Sequence, residues 1–254
     1  MPSDHAKLSA SGSERWMKCP GSVVLESFFE DEGSRFAEEG TKAHALAEAR
    51  LRAIIEPKSD EARKARDQAE ATADDEMKTF TAVYVEYCKD LIDDGNLRGR
   101  TTRAWVEQRV SFSEYVPDGF GTVDFCCIAG DDLHIVDLKY GKGVPVSAIG
   151  NTQERTYALG TLQELGFIFD NIKTVTTHIV QPRIGNISRE TLTVDELTDW
   201  GENTLKPKAQ RAYAGMREYS TGKQCKFCKA KALCRYRATT LLGRVVDILG
   251  GQTK

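Results

Sequence analysis

The sequence predicts an α/β fold in which a small mixed sheet is flanked by helices. Two long stretches of helical character come first, three strand-like segments follow, and another helix separates these from a fourth strand. The three segments follow each other closely enough to form an antiparallel meander, and a crossover helix would return the chain to add the fourth strand. The 254 residues are enough for one large domain or one domain with lobes.

The first half of the predicted fold is helical. Residues 34–55 are rich in Ala, Glu, Leu and Arg, which favour a helix, and Pro57 interrupts it. Residues 60–94 predict a longer helix, polar at first and apolar later, which ends at Gly95 and Asn96.

The sheet is predicted from residue 104 onwards. Residues 104–112 alternate between two faces, residues 121–128 form a second strand, and a turn at 129–132 leads into a third strand over 133–139. A helix over 151–165 precedes a fourth strand over 173–181, which stops at Pro182. Helices are predicted over 194–213 and 241–249, on either side of a cysteine-rich segment.

Composition indicates a globular protein of a reducing compartment. The chain is 40% hydrophobic and 29% charged, and no apolar run approaches the ~18 residues that a membrane helix needs. Residues 1–16 lack the hydrophobic core of a signal peptide. We therefore expect a cytoplasmic protein without a membrane partner, in which clustered cysteines bind metal rather than form disulfides.

Charge is unevenly distributed along the chain. The net charge of −3 argues against a globally basic DNA coat. Between residues 204 and 237, however, ten Lys or Arg face a single acid, Glu218. This segment either attracts phosphate or forms a solvated helix face.

Two charged residues interrupt the third strand. Asp137 and Lys139 share a face because residues two apart on a strand point the same way. Pairing of the second and third strands would bring Asp124 beside Asp137, and two adjacent carboxylates repel unless a divalent cation such as Mg²⁺ or Mn²⁺ binds them. Lys139 would then orient or deprotonate the attacking water, or stabilise negative charge. A plain Asp–Lys salt bridge is the alternative.

Further side chains could complete such a site. His44 lies four residues after Gly40 and four before Glu48 on one helix face, and its imidazole suits a divalent ion. Glu107, on the first strand, is either a further ligand or an exposed strand acid. Gln153 and Tyr157 are also four apart on a helix.

In this order, the segments GTKAHALAE, GTVD, IVDLK and QERTY resemble the RecB-like branch of the PD-(D/E)XK nuclease superfamily. The resemblance implies a restriction-endonuclease-like core. It implies that Mg²⁺ or Mn²⁺ is held by His44, Asp124, Asp137 and the Leu138 carbonyl. It further implies that the catalytic residues are Asp124, Asp137, Lys139, Gln153 and Tyr157.

The seven cysteines fall into two groups. Cys225, Cys228 and Cys234 form a C-x₂-C-x₅-C arrangement, and a four-sulfur site needs one more ligand, for which Cys19 is the candidate. That site would join the two ends of the chain. The remaining cysteines are interpreted as ordinary small apolar residues: Cys88, Cys126 and Cys127.

The cysteine spacing and the opening SASGSERWMKCP resemble the iron–sulfur variant of the same nucleases, found in helicase-linked nucleases and in the CRISPR spacer-acquisition nuclease. This resemblance implies a [4Fe–4S] cluster, with zinc as the alternative. The segments VDLKYGKGVPV and IVQPRIGNIS resemble phage-encoded proteins of the superfamily that were long known only as a domain of unknown function.

These observations lead to one expected organisation. Residues 1–34 carry the first cluster cysteine, residues 35–190 form the nuclease core with a helical insertion at about 56–100, and residues 191–254 form a helical lobe with the other cysteines. The residues expected to bind DNA are Lys142, Arg183, Lys226 and Lys229, although Arg183 could equally cap the sheet edge.

The expected function is that of a metal-dependent DNA nuclease. We expect an exonuclease that acts on single strands or duplex ends in phage or prophage recombination or replication, in the cytoplasm of a bacterial host. A phage recombination or replication protein is the expected partner. The alternative is a module on the same fold that binds DNA or such a partner without cutting.

Overall fold

The computed structural model describes residues 6–29, 35–166, 169 and 171–250, with side chains for all of these except residues 35, 36 and 244–250. Within these ranges a five-stranded sheet with the order β1-β2-β3-β4-β5 lies between helices. The predicted α/β class and the mixed sheet flanked by helices are confirmed. The predicted domain boundary at residue 34 lies outside the described residues.

The sheet combines an antiparallel meander with one parallel pair. Strands β1 to β3 pair antiparallel, β3 pairs parallel with β4 through a crossover helix, and β5 pairs antiparallel with β4. The strands are β1 Thr102–Ser111, β2 Phe120–Ala129, β3 Asp132–Leu138, β4 Thr174–Gln181 and β5 Asn186–Thr193. The crossover helix is α6, Thr152–Leu165.

Strand β5 was not expected from the sequence. Its residues, NISRETLT, are mostly polar, and half-buried positions alternate with exposed ones along it. This pattern is typical of an edge strand that contributes little to the core. The guanidinium of Arg155 on α6 binds Glu190 on β5 through two hydrogen bonds of 2.8 and 2.7 Å, which tie the edge strand to the crossover helix.

The remaining helices surround the sheet. They are α1 Ser13–Lys18, α2 Ser22–Glu26, α3 Arg35–Ile55, α4 Asp60–Thr72, α5 Asp75–Leu97, α7 Val194–Trp200, α8 Lys206–Tyr213 and α9 Arg235–Gly250. The last of these begins earlier than the helix predicted over 241–249. No helix in the described ranges is long and apolar enough to cross a membrane.

The single helix predicted over 60–94 is two helices, α4 and α5. The break lies at Asp74, whose carboxylate accepts a hydrogen bond of 2.7 Å from the backbone N–H of Met77. This side chain satisfies one of the free N–H groups that begin a helix, so Asp74 is the N-cap of α5. A second helix therefore starts inside the stretch that the sequence predicted as one helix.

The helix predicted over 194–213 is continuous but irregular. A π-helical turn, Gly201–Leu205, separates α7 from α8. A Cβ atom at Gly201 would lie 2.7 Å from the ring of Tyr115 and 2.9 Å from Leu159. The close approach of this turn to the core therefore requires glycine.

Both faces of the sheet are buried, by different helices. One face packs against α6, α7, α8 and α1, and the other packs against α3 and α5. Cys126 and Cys127 are consecutive on β2, so they point to opposite faces, and both are fully buried. Their predicted role as small apolar residues agrees with this placement.

A chain of polar groups crosses the face that α5 covers. Tyr87 Oη lies 2.8 Å from His178 Nδ1, and His178 Nε2 lies 3.1 Å from His134 Nδ1. When Tyr87 donates to Nδ1, the neutral His178 ring donates from Nε2, and no imidazolium is needed. Burial and, after it, the nearby His134 and Arg189 together lower the pKa of His178 to about 3.

This depressed pKa predicts acid-sensitive stability. The unfolded chain, in which His178 has its ordinary pKa of 6.5, takes up a proton before the folded chain does. The stability that neutral His178 contributes is therefore fully present above about pH 6.5, and it is lost as the pH falls towards 3. We expect His178 to account for a fall on the order of 2 kcal/mol in the free energy of unfolding between pH 7 and pH 5, measured by urea denaturation.

The variant His178→Gln should flatten this pH dependence, because it removes the titrating group. Tyr87→Phe is the matched control: it removes the hydrogen bond to the same ring and should cost about 1 kcal/mol at pH 7, while the pH dependence persists. Equal pH slopes in wild type and His178→Gln would contradict the prediction.

Candidate metal and catalytic site

The strand register brings three carboxylates into one row across β1, β2 and β3: Glu107, Asp124 and Asp137. Paired positions continue on both sides of Glu107 and Asp124, and the β2–β3 ladder ends one position before Asp124 and Asp137. The side chains of this row have different partners: Glu107 and Asp124 lie with His44 of α3, whereas Asp137 binds Gln153 of α6. Asp124 and Asp137 are nevertheless close enough for the Asp124 charge to raise the pKa of Asp137.

Glu107 has an unusual backbone. Its φ of +50° lies in the left-handed region, in the middle of a strand. Such a conformation costs on the order of 1–3 kcal/mol for a residue with a Cβ atom, and it is common at functional sites. Burial and, after it, the carboxylates of Asp124 and Glu48 together raise the pKa of Glu107 to about 7.

His44 approaches this row from α3. Its Nδ1 lies 3.4 Å from Asp124 Oδ1, and ligand atoms of His44, Glu107 and Asp124 all lie within 4.8 Å of one another. Burial opposes the charged imidazolium, but the Asp124 carboxylate outweighs it, and the pKa of His44 rises to about 9. Glu48, one turn later on the same helix, is bound by Arg52 at 2.8 Å.

Asp137 lies outside that group of three and is held by the residues predicted as its catalytic neighbours. Lys139 Nζ donates to Asp137 Oδ1 at 3.0 Å and to Gln153 Oε1 at 3.2 Å, and Gln153 Nε2 donates to Asp137 Oδ1 at 2.6 Å. Lys139 Nζ also lies 2.9 Å from Asp137 Oδ2, within ion-pair distance but without hydrogen-bond alignment. The three side chains form a closed triangle.

The charge of this triangle is fixed by its neighbours. Burial would lower the pKa of Lys139, but Asp137 outweighs it and raises the pKa, so the side chain remains an ammonium. Burial raises the pKa of Asp137, against the effect of Lys139. The backbone N–H of Leu138 donates to Asp124 Oδ2 at 2.8 Å, which anchors the second acid of the row.

Glu154 is a site residue that the sequence interpretation missed. It is fully buried beside Asp137, and in the described part of the chain nothing donates a hydrogen bond to either of its carboxylate oxygens. Burial raises its pKa well above the usual range, and repulsion by Asp137 adds to this. The Glu154 carboxyl is therefore held neutral beside Asp137. The signal was its helical spacing from Ala158 and Leu165, on the buried face of α6.

Tyr157 packs against the start of β2. A Cβ atom at Gly121 would lie 2.8 Å from the Tyr157 ring, so the glycine makes room for it. The ring also meets Phe112 edge to face, with centroids 6.4 Å apart. Burial raises the pKa of Tyr157, so its phenol stays protonated.

Contacts between residues 19–26 and residues 218–229 bring Cys19 towards the three later cysteines proposed as cluster ligands. Cys19 and Cys228 are buried, and the backbone N–H of Gly21 donates to the Glu218 carbonyl at 2.9 Å. Burial raises the pKa of the Cys19 thiol, and the thiols of Cys225 and Cys234 raise it further. Among the described residues, no three of these sulfur atoms lie within 4.8 Å of one another.

The residues predicted to bind DNA divide into two groups. The Arg183 side chain is 5% exposed, lies between Glu39 at 3.0 Å and Glu76 at 2.9 Å, and stacks over the Tyr140 ring at 4.5 Å. Lys142 Nζ lies 2.7 Å from Glu76. A phosphate contact by either would require these ion pairs to open.

The other two, Lys226 and Lys229, are exposed and lie beside the cysteines. The Lys226 ammonium lies 5.2 Å from the centroid of the Phe227 ring, and the backbone N–H of Lys229 donates to Glu26 at 2.8 Å.

Comparison with known proteins gives a family and distant matches among solved structures. The solved structure described as "Crystal structure of SSO0001" is 15% identical, with a TM-score of 0.33, over 86% of this chain and 95% of that chain. The model of the family DUF2800, described as "Protein of unknown function", matches residues 5–248. This chain therefore belongs to the DUF2800 family.

Proposed function

We propose that this protein is a divalent-metal-dependent DNA nuclease of the RecB-like PD-(D/E)XK type. The observation that carries the proposal is the row of Glu107, Asp124 and Asp137 on three neighbouring strands, with the Lys139 ammonium within 3.0 Å of Asp137. Carboxylates, an imidazole and an amine in this arrangement suit phosphodiester hydrolysis.

The donor set fits a divalent cation. Three further acids surround Asp124, and burial first and mutual repulsion second raise the pKa values of Glu107, Asp137 and Glu154. A bound cation would favour their charged forms. Oxygen donors with one imidazole suit Mg²⁺ or Mn²⁺. The ligands would be His44, Asp124, Asp137 and the Leu138 carbonyl, with Glu107 in reach of the first two.

The chain's own residues have distinct tasks. When bound, the ion would lower the pKa of a water molecule and polarise a phosphoryl oxygen. Lys139, as an ammonium, is suited to stabilise negative charge on the phosphate rather than to accept a proton. Gln153 holds Asp137 and Lys139 in fixed orientation through its two hydrogen bonds. Tyr157 positions α6 against β2 through its contact with Gly121.

We further propose that Cys19, Cys225, Cys228 and Cys234 hold a structural [4Fe–4S] cluster, with zinc as the alternative. Four cysteine sulfurs suit such a group. The hydrogen bond between Gly21 and Glu218 already holds the segment of Cys19 beside the segment that leads to the other three. The proposed substrate is DNA, cut from an end, in phage or prophage recombination or replication.

The first prediction concerns the catalytic triangle. Asp137→Ala and Lys139→Ala are each expected to reduce cleavage of end-labelled DNA by at least about 100-fold, because each removes a preorganised charge. DNA binding should survive both changes. The control Asp90→Asn replaces an exposed acid on α5 and should leave cleavage unchanged. Comparison of linear and circular substrates distinguishes exonuclease from endonuclease action.

Metal binding is tested separately from activity. Mn²⁺ should raise the melting temperature of the wild type, since a ligand that binds only the folded state stabilises it. Asp124→Asn should abolish that shift. If the wild type shows neither a Mn²⁺-dependent shift nor cleavage with Mg²⁺ or Mn²⁺, the nuclease proposal is wrong and a DNA-binding module is favoured.

The cysteine proposal predicts iron and inorganic sulfide, roughly four of each per chain, after anaerobic purification, together with a brown colour. Cys228→Ser should lose the iron and the colour. Cys126→Ala is the matched control, because it alters a buried cysteine on β2 far from the other four in sequence. Stoichiometric zinc in place of iron would contradict the cluster.

A further inference from the structure

We infer that the segment 219–242, called here the cysteine lobe, carries a base-stacking surface for single-stranded nucleic acid. The surface consists of two rings, Phe227 and Tyr236, and four cations, Lys223, Lys226, Lys231 and Arg235. The inference rests on the proposed function only in taking the strand to be DNA.

The ring of Tyr236 belongs to a stack that is already formed within the protein. Tyr219 and Tyr236 lie parallel to within 19°, with centroids 4.2 Å apart. Gly21 supports the inner ring, since a Cβ atom there would lie 2.3 Å from Tyr219. Tyr236, the outer ring, is 42% exposed, so an unpaired base could extend the stack.

The second ring is exposed on an anchored backbone. Phe227 is 74% exposed, whereas its carbonyl accepts a hydrogen bond of 3.4 Å from Arg15, and the next residue, Cys228, bonds back to the Cys225 carbonyl at 3.3 Å. An exposed phenyl ring held in this way gains apolar contact only from a partner.

Cations lie next to both rings. The Lys226 ammonium is 5.2 Å from the Phe227 centroid, and the Arg235 guanidinium is 5.7 Å from that of Tyr236. The lobe contains six Lys or Arg and no acid. Within the described part of the chain, no salt bridge joins a carboxylate to Lys223, Lys226, Lys231 or Arg235. Lys231 donates a hydrogen bond to a backbone carbonyl instead, and so does Arg237.

This chemistry favours a single strand over other partners. Cations that alternate with aromatic rings match a chain of phosphates and unstacked bases, and every base presents a face that can stack. A duplex hides those faces. A second copy of this protein would bring six like charges against six, which opposes self-association through the lobe.

Helix α1 fixes this surface relative to the candidate site. Arg15 on α1 binds the Phe227 carbonyl, and Ser13 Oγ at the start of α1 lies 2.6 Å from Thr152 Oγ1. Thr152 directly precedes Gln153 on α6. A nucleic-acid strand bound to the lobe would therefore be linked, through α1, to helix α6, which carries Gln153 of the proposed catalytic triangle.

The test measures binding without cleavage. Full-length Asp137→Ala protein without divalent metal is titrated with a fluorescent oligo-dT strand and with a hairpin duplex of equal length. Phe227→Ala and Tyr236→Leu should each weaken single-strand binding by about 5- to 100-fold, the usual effect of losing one stacked base, and should change duplex binding little. Phe227→Trp should retain the wild-type affinity.

Two matched variants complete the experiment. Lys226→Ala should weaken binding of both nucleic acids and lower the salt dependence by about one ion. Leu97→Ala removes an apolar side chain that is 87% exposed on α5, outside the lobe, and should change nothing. Circular dichroism of each variant checks the fold.

Unchanged single-strand affinity in both ring variants would overturn the inference. So would a Phe227→Ala effect confined to self-association or to binding of anionic vesicles. The outcome is independent of the nuclease proposal. Binding of single strands through Phe227 without any cleavage would support this surface and contradict the nuclease proposal. Cleavage that does not depend on Phe227 would support the nuclease proposal and contradict this surface.

Discussion

Buried negative charge is the constraint on which this structure depends. Neighbouring strands place Glu107, Asp124 and Asp137 side by side, and Glu154 adds a fourth acid from α6. Carboxylates at this spacing repel one another, and their burial removes the water that would screen them. The ammonium of Lys139, just after β3, and the imidazole of His44 from α3 offset part of this charge. The divalent cation that we propose would offset the rest.

The sequence was most informative where a short-range rule fixes a side chain's direction. The alternation of a strand predicts Asp137 and Lys139 side by side, and the helical repeat places His44 and Glu48 on one face of α3. Glu154 was missed because the interpretation considered only Gln153 and Tyr157, which are four residues apart on α6. Strand β5 was missed because an edge strand needs few apolar residues. The partners of Arg183 lie more than 100 residues earlier in the chain, so no local pattern could reveal that acids already bind it.

Helix α1 has a larger role than its six residues suggest. One of its side chains contacts α6 beside Gln153, and another contacts the carbonyl of Phe227. Any loss of order in the cysteine lobe would therefore reach the triangle of Asp137, Lys139 and Gln153 through a single short element. If the proposed function holds, the cysteines would act on the site through this helix and would not need to take part in the chemistry.

The pairing of residues 19–26 with residues 218–234 also has a consequence for biosynthesis. The earlier partners leave the ribosome first and wait while about 200 residues are translated, because their contacts do not yet exist. The sheet and its acid row contain all their own strands by residue 193. The candidate site is therefore expected to assemble before the lobe that anchors it.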